Sequence, residues 1–267
     1  MYRQYFGLKS SPFTNEIDEK HLYESAGMRE LASRLNFHLQ VRGFFLLTAD
    51  AGVGKTTALR RFSSLLNQNL YQACYCAMSS LTVMDFYRSL IIRMGAVPEY
   101  GKVMMFEQLQ YLISDSYHNK RVTPVFMVDE AQCLSGGILE DLRMIFNFKM
   151  DAESPFIFVM AGNHTIRREL QLSTHQGLRQ RFVGNYHMEG LSNDETSAYI
   201  ESRLRLAGAT DEGLFEPNAV EAIRAAANGC PRMINNFADA SLKLAALLDK
   251  RRVDEDIVYG ASKDIEI

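Results

Sequence analysis

The sequence predicts an α/β fold: a parallel sheet between two layers of helices (αβα), followed by a helical domain. Three observations carry that expectation. Gly43-Phe44-Phe45-Leu46-Leu47-Thr48, a short apolar run suited to a buried strand, leads into Ala49-Asp50-Ala51-Gly52-Val53-Gly54-Lys55-Thr56 and then a helical start at Thr57. A second apolar run, Pro124-Val125-Phe126-Met127-Val128, ends in Asp129-Glu130. Strand-like and helix-like stretches alternate up to about residue 190, after which no strand is apparent.

The elements follow in order. An aromatic arm with Tyr2, Tyr5, Phe6, Phe13 and Tyr23 is interrupted by Pro12. Leu31, Leu35 and Leu39 share one stripe of a helix over 26–40. Strand 44–48 and the glycine-containing loop precede a helix to about Asn69, and 70–77 reads as a strand. Thr82 to Met94 is an amphipathic helix closed by Gly95. After the loop 97–102, a helix covers 103–117. The apolar run at 124–128, a helix over 136–148 and a strand over 156–162 complete the alternation, with a short strand at 186–188. Ser192 with Glu195 three residues on is a capping box. Pro217 and Pro231 occupy first-turn positions of two further helices. Two domains result, 1–190 (including the arm) and 191–267.

Composition bounds the chemistry. Of 267 residues, 47% are apolar and 23% charged, as in soluble globular chains. No run approaches the roughly 18–20 apolar residues of a membrane span. The start, Met1-Tyr2-Arg3-Gln4-Tyr5-Phe6, lacks a secretory core, so a cytoplasmic location is expected. Cys74, Cys76, Cys133 and Cys230 lack zinc-like spacing, and the first two read as core thiols. A net charge of −3 excludes a wholly basic nucleic-acid binder but leaves room for a basic stripe.

The loop at 49–56 matches the P-loop pattern G-x-x-x-x-G-K-[ST], with Ala49 in place of the first glycine. A strand, a glycine turn and a helix N-terminus make an anion site. Asp50, Ala51, Gly52, Val53, Gly54, Lys55, Thr56 and Thr57 form the expected nucleotide-contacting run. Lys55 would reach the β- and γ-phosphates of ATP, and Thr56 would ligate Mg²⁺. Asp129, at a strand end where such sheets bind ligands, would share the Mg²⁺, and Glu130 would polarise the attacking water.

Three more segments, read beside these, resemble motifs of AAA+ proteins. Asn163 follows strand 156–162, where sensor-1 contacts γ-phosphate and water. Leu178-Arg179-Gln180-Arg181-Phe182 resembles the arginine-finger segment, with Arg181 favoured over Arg179. Gly229-Cys230-Pro231-Arg232 resembles sensor-2, with Arg232 reaching from a helical lid. Gln132, after the two acids, could couple Glu130 to another subunit or to a bound partner.

With Phe6-Gly7-Leu8, Pro12-Phe13 and Asp129-Glu130-Ala131-Gln132, these motifs run in order over essentially the whole chain. They are similar to those of the ExeA-type AAA+ ATPases, a group that includes the transposition regulators TnsC, TniB and MuB. Two positions depart from that pattern: Ala49, from which weaker loop closure at most is expected, and Asn163, where Gln is more familiar.

The resemblance implies ATP and Mg²⁺ as cofactors and a homo-oligomer, ring or helical filament, on duplex DNA held without sequence preference. It also implies a transposase partner, a target-selecting adaptor and disassembly on hydrolysis. Longer relatives of type II secretion or pilus assembly carry a membrane segment after the ATPase. This sequence stops after the lid, so a stand-alone transposition ATPase with no membrane contact is the expectation, with the secretion-type ATPase as the alternative. A nucleotide switch that barely hydrolyses is a third reading, which Glu130 opposes. Lys102, Thr82, Arg93, Lys120 and Arg121 are the main candidate DNA contacts, with Arg88 and Tyr100 beside them and Lys102 expected on a projecting loop. Lys250-Arg251-Arg252 is a second basic run.

Overall fold

A computed structural model describes residues 2–14, 17–77, 82–209 and 213–263. It contains two compact units, one of Glu30–Asp50 and Lys55–Met188, the other of Met1–Arg29, Ala51–Gly54 and Glu189–Ile267.

The first unit is built on five parallel strands: β1 (Gly43–Thr48), β2 (Tyr71–Ala77), β3 (Thr123–Asp129), β4 (Ile157–Gly162) and β5 (Phe182–His187). Their order is β2-β3-β4-β1-β5. Apolar side chains on both faces of β3 and β4 make these strands buried nearly throughout, as helices above and below a parallel sheet require. Thr48 pairs with Gly162 and Ala77 with Asp129, which aligns the strand ends along one edge. The core is aromatic: the Phe44 ring lies 5.1 Å from Phe158, 5.4 Å from Phe156 and 5.6 Å from Phe146. Helices Lys55–Leu65, Val83–Arg93, Lys102–His118, Gly136–Ile145 and His164–Gln171 connect the strands.

Several boundaries differ from expectation. The helix after the loop stops at Leu65, because the Asn67 carbonyl takes the N–H groups of Leu70 and Tyr71 in a turn. Helix Gly136–Ile145 ends before Phe146, and Phe148 instead bridges Glu153, so that both rings enter the aromatic core. β5 begins at Phe182, whose ring packs 5.5 Å from Phe44. Lys102 is not on a projecting loop; it opens a helix after Gly101.

In the second unit, helices Asn193–Leu206, Pro217–Ala227, Pro231–Leu247 and Glu255–Ser262 bury Ile200, Ile223, Ile234, Phe237 and Leu242. The Ser192–Glu195 capping box forms, and both prolines open their helices. The N-terminal arm packs here, and not with the sheet as its sequence position suggested. The reason is a buried cation. Arg203 is 4% exposed and donates to the carbonyls of Pro12 at 2.7 Å and Thr14 at 2.5 Å. A buried guanidinium must be saturated with acceptors, and the arm supplies them. Phe13 stands edge-on to Phe215 and Tyr23 to Tyr199, so the arm's rings pack in and against this unit's core.

Candidate active site

The P-loop follows β1. Ala49 is fully buried, its N–H bonds the Gly162 carbonyl at 3.1 Å, and its φ is not positive, so no glycine is needed there. Gly52 is different. Its φ is +81°, and a Cβ would stand 2.7 Å from Cys230 Sγ and 2.9 Å from Arg232 Cβ. Within that unit the Arg232 N–H donates to the Gly52 carbonyl at 3.3 Å, and the Cys230 thiol to that of Ala51 at 3.5 Å. The Arg232 side chain is exposed.

Lys55 and Thr56 open the helix after the loop. Lys55 is 7% exposed, with Nζ donating to the carbonyls of Ala49 at 2.8 Å and Asp50 at 2.9 Å. Those bonds hold the ammonium against the loop. The Thr56 hydroxyl donates to Asp129 Oδ2 at 2.5 Å. Asp129, buried at the end of β3, also accepts from the Tyr75 hydroxyl at 3.2 Å and the Glu130 N–H at 2.9 Å. Burial pushes the Tyr75 phenol up to about 12, with the Asp129 charge adding to the rise, so it stays a donor. A threonine hydroxyl and a carboxylate are hard oxygen donors, a set that fits Mg²⁺.

Glu130 is exposed, in a left-handed conformation at φ 55°. Gln132 donates to its carboxylate and accepts the Asn163 N–H at 3.1 Å. The bridge ties the end of β3 to the end of β4, and a Cβ at Gly162 would strike Gln132 Oε1 at 2.8 Å. The Asn163 side chain itself caps helix His164–Gln171, accepting from the Thr165 N–H at 2.8 Å.

Arg181 immediately precedes β5, whose first residue is registered with Phe44 near the start of β1. That places its backbone at the sheet edge away from the loop, roughly 15 Å along the strand direction. Its guanidinium pairs with Asp151. Arg179 donates to the Gln171 carbonyl at 3.3 Å.

The structure places the expected DNA contacts individually. Thr82 caps helix Val83–Arg93, accepting from the Asp85 N–H at 3.2 Å. Arg88 pairs with Asp85, Lys102 with Asp141 at 2.7 Å and Lys120 with Asp115 at 2.9 Å. Arg93 ends its helix and is exposed, as are Arg121 and Tyr100. Lys120 and Arg121 precede β3, at the edge opposite the P-loop. Cys74 and Cys76 are buried core thiols. No group of three or more metal-ligating side chains occurs among the described residues, and no helix there is long and apolar enough to cross a membrane. Two contacts had no sequence signal: Tyr75 on Asp129, and the 2.9 Å approach of His164 Nε2 to Asp50. Both depend on which strands adjoin.

A family model described as an AAA domain matches residues 38–170. General secretion pathway protein A of Aeromonas hydrophila is 32% identical over 264 residues, covering 97% of this chain and 47% of that protein. The chain thus spans about half the length of that relative. Cdc6p of Pyrobaculum aerophilum superposes with a TM-score of 0.72 at 14% identity, over 95% of this chain and 70% of that one. Drosophila ORC bound to DNA gives 0.70 at 15% identity, over 96% and 65%. At those identities the likeness is one of fold.

Proposed function

The chain carries an AAA ATPase domain, and from that premise we propose that it hydrolyses ATP as one subunit of an assembly of its own copies, formed on duplex DNA to regulate transposition. The placement of Arg181 carries the assembly reading. An arginine whose backbone lies at the far edge of its own sheet cannot serve its own loop, but could serve a neighbour's once its pair with Asp151 opens. There it would neutralise charge developing on the γ-phosphate.

In the proposed reaction the backbone amides of the loop and Lys55 hold the phosphates. Thr56 and Asp129 would hold Mg²⁺, which supplies charge neutralisation at the phosphate oxygens. Glu130, oriented by Gln132, accepts a proton from water as its oxygen attacks the γ-phosphorus and ADP departs. Asn163, joined to the same glutamine through its N–H, sits beside that water as sensor-1. Arg232, whose N–H is anchored on Gly52, would report the phosphate to the C-terminal helices.

The DNA-directed reading draws on the motif resemblance to transposition regulators and on the fold shared with a DNA-bound ORC. The 32% identity to general secretion pathway protein A favours a second reading, an assembly ATPase of secretion. ATPase rate with and without duplex DNA, across a salt series, separates them. A backbone-gripping assembly loses its stimulation as salt rises, whereas a secretion ATPase shows none. Finding only monomers by electron microscopy with ATP analogue and DNA would sink the first reading.

A further inference from the structure

We propose that Asp151 is a latch on Arg181: in the separate subunit it holds the guanidinium on its own surface, and assembly has to open that pair before hydrolysis begins. The inference rests on the reading of Arg181 as the arginine that completes a neighbour's site. Arg181 pairs with Asp151, 30 residues back in the chain. The arginine side chain is 16% exposed and the acid 60%, so the guanidinium is drawn in beneath the carboxylate. The fit is incomplete. Arg181 Nη1 is buried with no hydrogen-bond partner among the described residues. A buried N–H left unpaired costs free energy, and such a group calls for an explanation. A site with more anionic oxygens, such as the γ-phosphate of a bound nucleotide, satisfies this guanidinium better than Asp151 does.

The acid is carried by a strained turn. After helix Gly136–Ile145 ends, Phe148 bridges Glu153 and the chain reverses through Lys149, Met150 and Asp151. All three have left-handed backbones, at φ 48°, 56° and 65°. One such residue other than glycine is uncommon, and three in succession persist only where their surroundings hold them. Here both ends are held. Phe148 and Phe156 sit in the aromatic core, and the Asn147 side-chain oxygen accepts the Asp151 N–H at 3.1 Å. Glu153 pairs with Lys149 at 2.9 Å and lies 3.2 Å from His118 Nε2. Turn and arginine belong to the same unit, and they meet through strand order. The turn leads into β4 and Arg181 into β5, the two strands that flank β1, so both stand at the edge away from the P-loop. What the strained turn delivers there is one carboxylate beside one arginine.

In the separate subunit nothing competes with Asp151 and the pair stays closed. At an interface, a neighbour's triphosphate competes for the guanidinium with several oxygens against one carboxylate. Only subunits whose pair has opened complete the neighbouring site, so the latch weakens assembly by the fraction it holds closed. It therefore sets the protein concentration at which hydrolysis begins. The rate within a finished assembly, where the pair is open, does not depend on it.

The test is ATPase rate per subunit against protein concentration, with saturating ATP, Mg²⁺ and duplex DNA. Asparagine tolerates a left-handed backbone, so Asp151→Asn removes the charge and keeps the turn. It should lower the concentration for half-maximal rate about three- to tenfold and leave the maximal rate unchanged. Asp151→Gly also accepts φ 65° and removes the side chain altogether, and it should shift the midpoint at least as far. Sedimentation with an unhydrolysed ATP analogue should show the same shift in the wild-type background and none in Arg181→Ala, because the acid acts only through the arginine. An unmoved midpoint, a fall in maximal rate for both variants, or a shift that persists in Arg181→Ala overturns the latch and leaves the assembly reading standing. A wild-type rate per subunit that does not change with concentration overturns the assembly reading and this inference with it.

Discussion

The Thr56 hydroxyl donates to the Asp129 carboxylate at 2.5 Å across 73 residues of chain, joining the P-loop helix to the end of β3. The two oxygens that would hold Mg²⁺ are therefore brought together by the fold. Asp129→Ala should lower the ATPase kcat at least about a hundredfold, and a Mg²⁺ titration should fail to restore it. Recovery at high Mg²⁺ would show that the carboxylate only tunes affinity.

Glu130→Gln should reduce kcat by about 10²–10⁴ while nucleotide binding persists. Gln132→Ala removes the bridge between Glu130 and Asn163, and should lower kcat about tenfold with KM little changed. An equal rise in KM with kcat intact would assign the glutamine to binding instead.

Arg181→Ala should abolish hydrolysis in the assembled protein. Mixed with Glu130→Gln, it should recover part of the rate, since an intact Glu130 in one subunit then meets an intact Arg181 from the next. No recovery over a range of mixing ratios would contradict action between subunits.

Glu195 gives a pH-dependent contribution to stability. Burial raises its pKa, but the N–H groups of Ala26 and Ser192 outweigh burial and hold it below the ordinary 4.5. A depressed folded pKa means stability fully present above the unfolded carboxylate range and lost as pH falls through the folded pKa. Glu195→Gln should cost about 0.5–1 kcal/mol at pH 7 and less at pH 3. Urea midpoints at the two pH values measure this, and a gap undiminished in acid would rule out the carboxylate charge as its source.

Gly52→Ala adds the smallest side chain where φ is +81° and Cys230 Sγ stands 2.7 Å from the new Cβ. Nucleotide affinity should fall more than about tenfold, and Cys230→Ala should restore only part of it, because Arg232 Cβ still lies 2.9 Å away and the backbone strain remains. Full affinity in the single variant would mean the loop relaxes freely.

Much of the site was legible because its signals are local. Lys55 and Thr56 follow the glycines, Asp129 and Glu130 end an apolar run, and the Ser192–Glu195 box needs only a spacing of three. Boundaries were less legible where a side chain left its helix for the core, as Phe146 and Phe148 do. The arm was misplaced because nothing in its own residues shows that Arg203 needs its carbonyls. Lys102 looked free in a glycine turn, but its partner Asp141 lies 39 residues away.

The amino-acid sequence by itself determined the fold class and singled out the residues proposed to hold a phosphate and to activate water, since short-range spacing and apolar periodicity encode them. The tertiary structure decided which of those residues meet. The strand order β2-β3-β4-β1-β5 differs from chain order, so His164 arrives beside Asp50 and Gln132 beside Asn163 only when the sheet assembles. Parallel register also carries Arg181 to the edge away from its own loop. Hydrogen bonds and charge pairs act over a few ångströms, so they depend on strand neighbours that no local pattern specifies.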